Sequence, residues 1–164
     1  MNNQFYNKNQ QQITIFTENP EDELWKTILQ YTYKSHIENY FSSNNLMPEN
    51  RDEVCEIISG SLLQANEYYQ LSKTASLHVA PLLLYYGTIN LALGALTLIR
   101  GQKFDIENHG IKLSLGSGND IGSTKIHFFN PSKGGMHVFL RNFDEDPNLS
   151  QLEDWTIKEL LLSI

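Results

Sequence analysis

Apolar positions recur every three to four residues up to Gly101 and every two residues beyond it. Asn19, Pro20 and the acids Glu21, Asp22 and Glu23 mark a helix start. Asn can cap, Pro suits the first turn, and acids favour the positive end of the helix dipole. Leu24, Ile28 and Tyr31 fall on one ridge and Trp25 and Leu29 on the next, which predicts a helix running to about Phe41 and ended by Ser42-Ser43-Asn44-Asn45. Met47-Pro48-Glu49-Asn50 opens a second helix. Val54, Ile57, Ile58, Ser61, Leu62, Ala65, Tyr68, Tyr69 and Leu71 keep it in phase to about Ala75. Gly60 inside it costs about 1 kcal/mol relative to Ala and is a candidate for close helix approach. A third helix runs from near Pro81 to Gly101, which suits a C-terminal cap, with Arg100 complementing the dipole.

After Gly101 the alternation of Ile111, Leu113 and Leu115 predicts a half-buried strand. Thr124–Phe129 and Met136–Leu140 are read as a hairpin around Asn130-Pro131-Ser132-Lys133-Gly134-Gly135. Pairing Phe128 with Met136 and Ile126 with Val138 keeps one face apolar and sets His127 across from His137 on the other. Asp144–Asn148 is an acidic loop, and Thr156-Ile157-Lys158-Glu159 is a capping box opening a last helix before the chain stops at Ile164. The fold class is therefore α+β: three long helices in a bundle, with a small antiparallel sheet or hairpin after residue 110. Residues 1–18 form an arm, in which Ile13–Thr17 reads as a short strand or an extended segment, and 19–164 a single domain.

Val79 to Ile99 carries no charge over 21 residues, enough for a bilayer by length alone. Asn90, Thr88 and Thr97 would be costly in lipid, and His78 and Arg100 give no basic cluster to set an orientation. The other helices are amphipathic and need an apolar partner. The run is read as the buried spine of a helical core, with Gly87 and Gly94, one heptad apart, letting neighbours approach.

Composition narrows the function. The 164 residues are 40% hydrophobic and carry a net charge of −7, enough for one domain with a core. That charge disfavours a broad nucleic-acid face or adsorption to anionic lipid, so nucleic acid would be met only locally or through a partner. The one cysteine, Cys55, makes neither an internal disulfide nor a thiolate cage and reads as a small buried hydrophobe. Eight of the first twelve residues are Asn or Gln, with no apolar stretch of a signal peptide, which points to the cytoplasm and no membrane.

Leu62–Gly101, LLQANEYYQLSKTASLHVAPLLLYYGTINLALGALTLIRG, followed by His109-Gly110, resembles the bacterial YaaC-like family, as does Thr156-Ile157-Lys158-Glu159-Leu160-Leu161. The features are an aromatic pair near a helix end, the PLLLYYG string with Asn90 four residues after Tyr86, and the His-Gly beyond. The resemblance implies an N-terminal portion or a shortened member, since family members run further. A more distant similarity is to HEPN domains, helical bundles that act as ribonucleases in toxin–antitoxin and antiphage systems or as interaction modules. Their Arg and His stand four to six residues apart, whereas eight residues separate Arg100 from His109 here.

Metal-independent RNA cleavage needs a base, an acid and positive charge on the phosphorane. Arg100 and His109, supported by Tyr85, Tyr86 and Asn90, are the candidate set. The alternative is that Arg100 is a helix-end cation, His109 a turn residue and the tyrosines core. His127 and His137, if cross-strand, are weak metal candidates, since two imidazoles make a poor site. Gly116–Gly122 suggests a phosphate loop but lies between strand patterns with no helix N-terminus and reads as turn chemistry. No cofactor is implied. The leading expectation is a non-catalytic assembly subunit of a bacterial defence or toxin-like complex, joined to a protein partner or a second copy. The alternatives are a dimeric HEPN-type ribonuclease and, more weakly, an antitoxin-like inhibitor.

Overall fold

The structure is a computed structural model and describes residues 17–104, 106–116, 120–128, 133–143 and 155–162. The Asn/Gln-rich tract, the turn at 129–132 and the acidic loop at 144–148 lie outside the described residues.

Helix α1 (Pro20–Leu29) starts where its sequence predicts, with the Asn19 side chain accepting from the Asp22 amide at 3.4 Å. It does not reach Phe41. A 3-10 turn over Gln30–Thr32 and an extended Tyr33 (φ −93°, ψ 123°) separate it from α2 (Lys34–Ser43). Tyr31-Thr32-Tyr33 is a run of poor helix formers. The break is also satisfied from outside: Thr32 Oγ1 donates to the Leu29 carbonyl at 2.7 Å, and Ser59 Oγ donates to the Thr32 carbonyl at 2.9 Å. The expected three long helices are thus two short ones and two long ones.

The long pair is α3 (Arg51–Ser72), capped by Asn50, and α4 (Ala80–Arg100), ended by Gly101 in the left-handed conformation (φ 62°) with its amide on the Thr97 carbonyl. Both glycines of α4 face α3. A Cβ at Gly94 would stand 2.8 Å from Leu62 Cδ2, and one at Gly87 would stand 3.2 Å from the Tyr69 ring. Gly60 is different from its reading: a Cβ there meets nothing within 4 Å, so it marks no close approach. One substitution should therefore have opposite signs at two sites. Gly60→Ala is expected to raise stability by about 0.5–1 kcal/mol. Gly94→Ala is expected to lower it by about 1–3 kcal/mol through overpacking. Urea unfolding of each variant checks both.

Two apolar clusters flank α4. Ile37 and Phe41 of α2, Val54, Cys55, Ile58 and Leu62 of α3, and Leu98 of α4 make the first. Leu96 of α4 joins Val138 and Phe139 in the second. Cys55 sits in the first as a buried side chain, and burial pushes its thiol up from the usual range. Thr97 is fully buried, and its hydroxyl has no hydrogen-bond partner among the described residues. Removing an unsatisfied hydroxyl while keeping the shape should help, so Thr97→Val is expected to gain up to about 1 kcal/mol, read as a rise in the unfolding midpoint.

β1 (Ile111–Ser114) pairs antiparallel with β2 (Lys125–Phe128), in the register Leu113 to Ile126 and Lys112 to His127. The segment read as the second hairpin strand is instead helix α5 (Gly135–Phe143). Val138 and Phe139 are consecutive and both buried, whereas a strand would send them to opposite faces. The Gly135 amide on the Asn108 carbonyl at 2.8 Å fixes the start of α5. β3 (Trp155–Thr156) fills the place on β2, giving the sheet order β1-β2-β3. The capping box holds: Glu159 accepts from the Thr156 amide at 2.8 Å, and α6 (Ile157–Leu162) follows. The fold is α+β, a helical core with a small open antiparallel sheet.

Candidate functional site

Helix α4 is the one helix among the described residues long and apolar enough to cross a bilayer, yet only 28% of its most apolar stretch is buried. It is central without being covered all round. With 3.6 residues per turn, Gly87 and Gly94 face α3, while Ile89, Ala92, Leu93 and Leu96 face α5. Two flanks stay open towards its N-terminal half. One carries Val79, Leu82 (56% exposed) and Tyr86 (45% exposed). The other carries Leu84 (42% exposed), with Thr88 and Leu91 below it.

The first flank is aromatic. Tyr86 lies 5.8 Å from the Tyr68 ring of α3 and 5.3 Å from Tyr85, and Tyr85 lies 6.3 Å edge-on to His109. Burial, and then the neighbouring Tyr86, raise the Tyr85 hydroxyl above its ordinary range, so it stays protonated at neutral pH and is no base. His109 is exposed, and its Nδ1 accepts from the Ile111 amide at 3.1 Å. Asn90 donates to the Tyr86 carbonyl at 2.9 Å, a bond within the helix rather than to a tyrosine hydroxyl. The opposite flank is tied down by Tyr69, whose hydroxyl shares a hydrogen bond with Thr88 Oγ1 at 2.9 Å and whose ring lies 5.4 Å from Trp25.

Tyr85, Tyr86 and His109 are thus neighbours in the N-terminal half of α4, while Asn90, at the middle of the helix, bonds back to the Tyr86 carbonyl. Arg100 is not with them. It follows Tyr85 by 15 residues, about 22 Å of helix rise, and its guanidinium donates to the Asn142 carbonyl at 2.7 Å, tying α4 to α5. Eight intervening residues that lead back along α4 carry His109 away from Arg100 within one chain.

The histidine pair is corrected by the same register that replaces the hairpin. His127 stands across from Lys112, and His137 lies in α5, so the two are not cross-strand neighbours. Among the described residues no three His, Cys, Asp or Glu side chains gather as a metal set would. In the glycine-rich loop, 117–119 lie outside the described residues. The Gly122 amide is taken by the Asp120 carboxylate at 2.9 Å, which puts negative charge where a phosphate would sit.

Sequence reasoning missed both open flanks of α4. A signal for them existed: a helix apolar on every side needs a neighbour on every side, and the described residues supply few. A family model described as YaaC-like Protein matches residues 5–164. That extends the likeness well before Leu62, through the first helices and into the N-terminal arm. No curated protein and no solved structure matches the chain.

Proposed function

The chain belongs to the YaaC-like family, and from that premise we propose that it is an assembly module, binding protein through the Leu82–Tyr86 ridge of α4. The observation that carries this reading is the exposure of large apolar side chains on a regular, well-packed helix. The occupant that fits best is a second copy. The sequence has no charged residue from Thr74 to Ile99, so the ridge offers nothing to recognise an acidic or basic surface. Two chains of net charge −7 repel one another, and an uncharged strip is where they can meet. A two-fold axis at Leu82–Tyr86 would set each ridge against its own copy. The distant likeness to HEPN interaction modules supplies the setting, a bacterial defence or toxin-like complex.

The ribonuclease reading has less support. An axis at the ridge brings the His109 end of α4 close to the contact and leaves Arg100 at least about 21 Å along each helix from it. Purified chain is expected to leave RNA intact. Cleavage abolished by His109→Ala would overturn the non-catalytic reading. Because the ridge is uncharged and the chains carry like net charge, added salt should leave association unchanged or strengthen it in sedimentation experiments. A contact that dissolves as salt rises would place the interface on a charged surface instead.

A further inference from the structure

At the break between α1 and α2 lies a cavity of about 540 Å³, lined by Thr32, Lys34 and one face of α3 from Asp52 to Gly60. We propose that it is a binding site for a small primary amine in its ammonium form, held by Glu56, Ser59 and Thr32.

The hydrogen bonds of the wall name the ligand's chemistry. Thr32 Oγ1 gives its hydrogen to the Leu29 carbonyl at 2.7 Å, and Ser59 Oγ gives its own to the Thr32 carbonyl at 2.9 Å. Both hydroxyls have therefore spent their donors, and what they and the second lone pair of the Thr32 carbonyl still offer is acceptance. Lys34 is taken by Asp52 at 2.6 Å. Glu56, one turn further along α3 on the same face, makes no ion pair or side-chain hydrogen bond among the described residues. The walls thus carry one carboxylate to spare beside neutral acceptors. That set suits a compact cation with several N–H groups, and an ammonium brings three. A hard metal ion would need about six oxygens or more. Gly60 supplies the room for the rest of the ligand. A glycine inside a helix costs about 1 kcal/mol relative to alanine, and no described atom comes within 4 Å of a Cβ built there. An apolar stem can lie in that opening, against Gly60 and the nearly buried Cys55. The cavity shares no residue with the Leu82–Tyr86 ridge, so neither proposal rests on the other.

Titration of the full chain with hexylamine at neutral pH, followed by nitrogen–proton correlation spectra, tests the site. The amide signals of Thr32, Lys34, Glu56, Ser59 and Gly60 should shift together and saturate. Hexanol, of similar shape but uncharged, should bind at least roughly tenfold more weakly, the loss expected for a charge-assisted bond. Hexanoate should leave these signals in place. Glu56→Gln keeps the shape and removes the charge, and should weaken hexylamine by a similar factor. Lys34→Met removes the competing cation and frees Asp52, so it should tighten binding. Gly60→Leu should fill the cavity and abolish the shifts without lowering the urea midpoint, since Leu is the better helix former. No saturable shift at these amides, equal binding of hexanol, or unchanged affinity in Glu56→Gln overturns the proposal. Undiminished hexylamine binding in Gly60→Leu overturns it as well, because the ligand then lies outside the cavity.

Discussion

Phe41→Ala is expected to destabilise the chain by about 3–5 kcal/mol, the range for deleting a buried aromatic side chain. Phe41 has no exposed surface and packs with Ile37, Ile58, Leu62 and Leu98 in the larger core cluster. It also decides whether α2 exists. A ten-residue helix is too short to persist on its own, and the buried residues holding α2 are Ile37 and Phe41. The Leu46 amide, which bonds the Phe41 carbonyl at 2.9 Å, directs the chain onward to α3. At roughly 2–4 °C per kcal/mol for a chain of this size, the melting midpoint should fall by about 10 °C. Tyr33→Ala is the control. Its side chain is exposed at the break between α1 and α2, and its substitution should change stability by about 0.5 kcal/mol or less. A loss below about 1 kcal/mol at Phe41 would mean that α2 is not anchored as its packing requires.

The helical half was legible because its signals are local. Asn19 and Asn50 cap where they stand, Gly101 takes the left-handed conformation that ends α4, and Gly87 and Gly94 admit α3. What failed was decided by distant groups. The break at Tyr33 depends on Ser59 reaching the carbonyl of Thr32, 27 residues before it. The run Met136–Leu140 is too short for its apolar spacing to separate strand from helix. The contacts of Val138 and Phe139 with Leu96 decided for α5. The metal pair His127 and His137 fell with that hairpin, because a register cannot outlive the strand it was drawn on.

The site was half legible. Tyr85, Tyr86 and Asn90 were singled out by sequence; Tyr85 meets His109 and Tyr86 ring to ring, whereas Asn90 only bonds back to the Tyr86 carbonyl. The spacing between Arg100 and His109 was the warning that the pair departs from the HEPN pattern, and the path back along α4 gives that departure a physical form. The apolar run itself was misjudged in one respect. Lack of charge was taken to mean burial, but an uncharged helix can equally be one whose cover comes from elsewhere in the assembly or the chain.

The ridge carries the second large effect. Leu82→Asp places a carboxylate at the centre of the proposed contact. There it must be desolvated opposite its own copy, with no cation on the ridge to receive it. Loss of a central apolar anchor alone is worth about 2 kcal/mol or more, so association should weaken at least roughly 30-fold. The monomer itself should tolerate the change, because Leu82 is more than half exposed. Tyr86→Ala should weaken association in the same direction while leaving Tyr68 in place. The most direct test is light scattering on the eluting peak of a size-exclusion column, for the wild-type chain and for Leu82→Asp at the same concentration. The wild type is expected at about twice the 18.8 kDa chain mass and Leu82→Asp at the single-chain mass, with unchanged circular dichroism. A wild type that stays at the single-chain mass at every concentration, or a Leu82→Asp variant that keeps the doubled mass, would contradict assembly of two copies through this ridge.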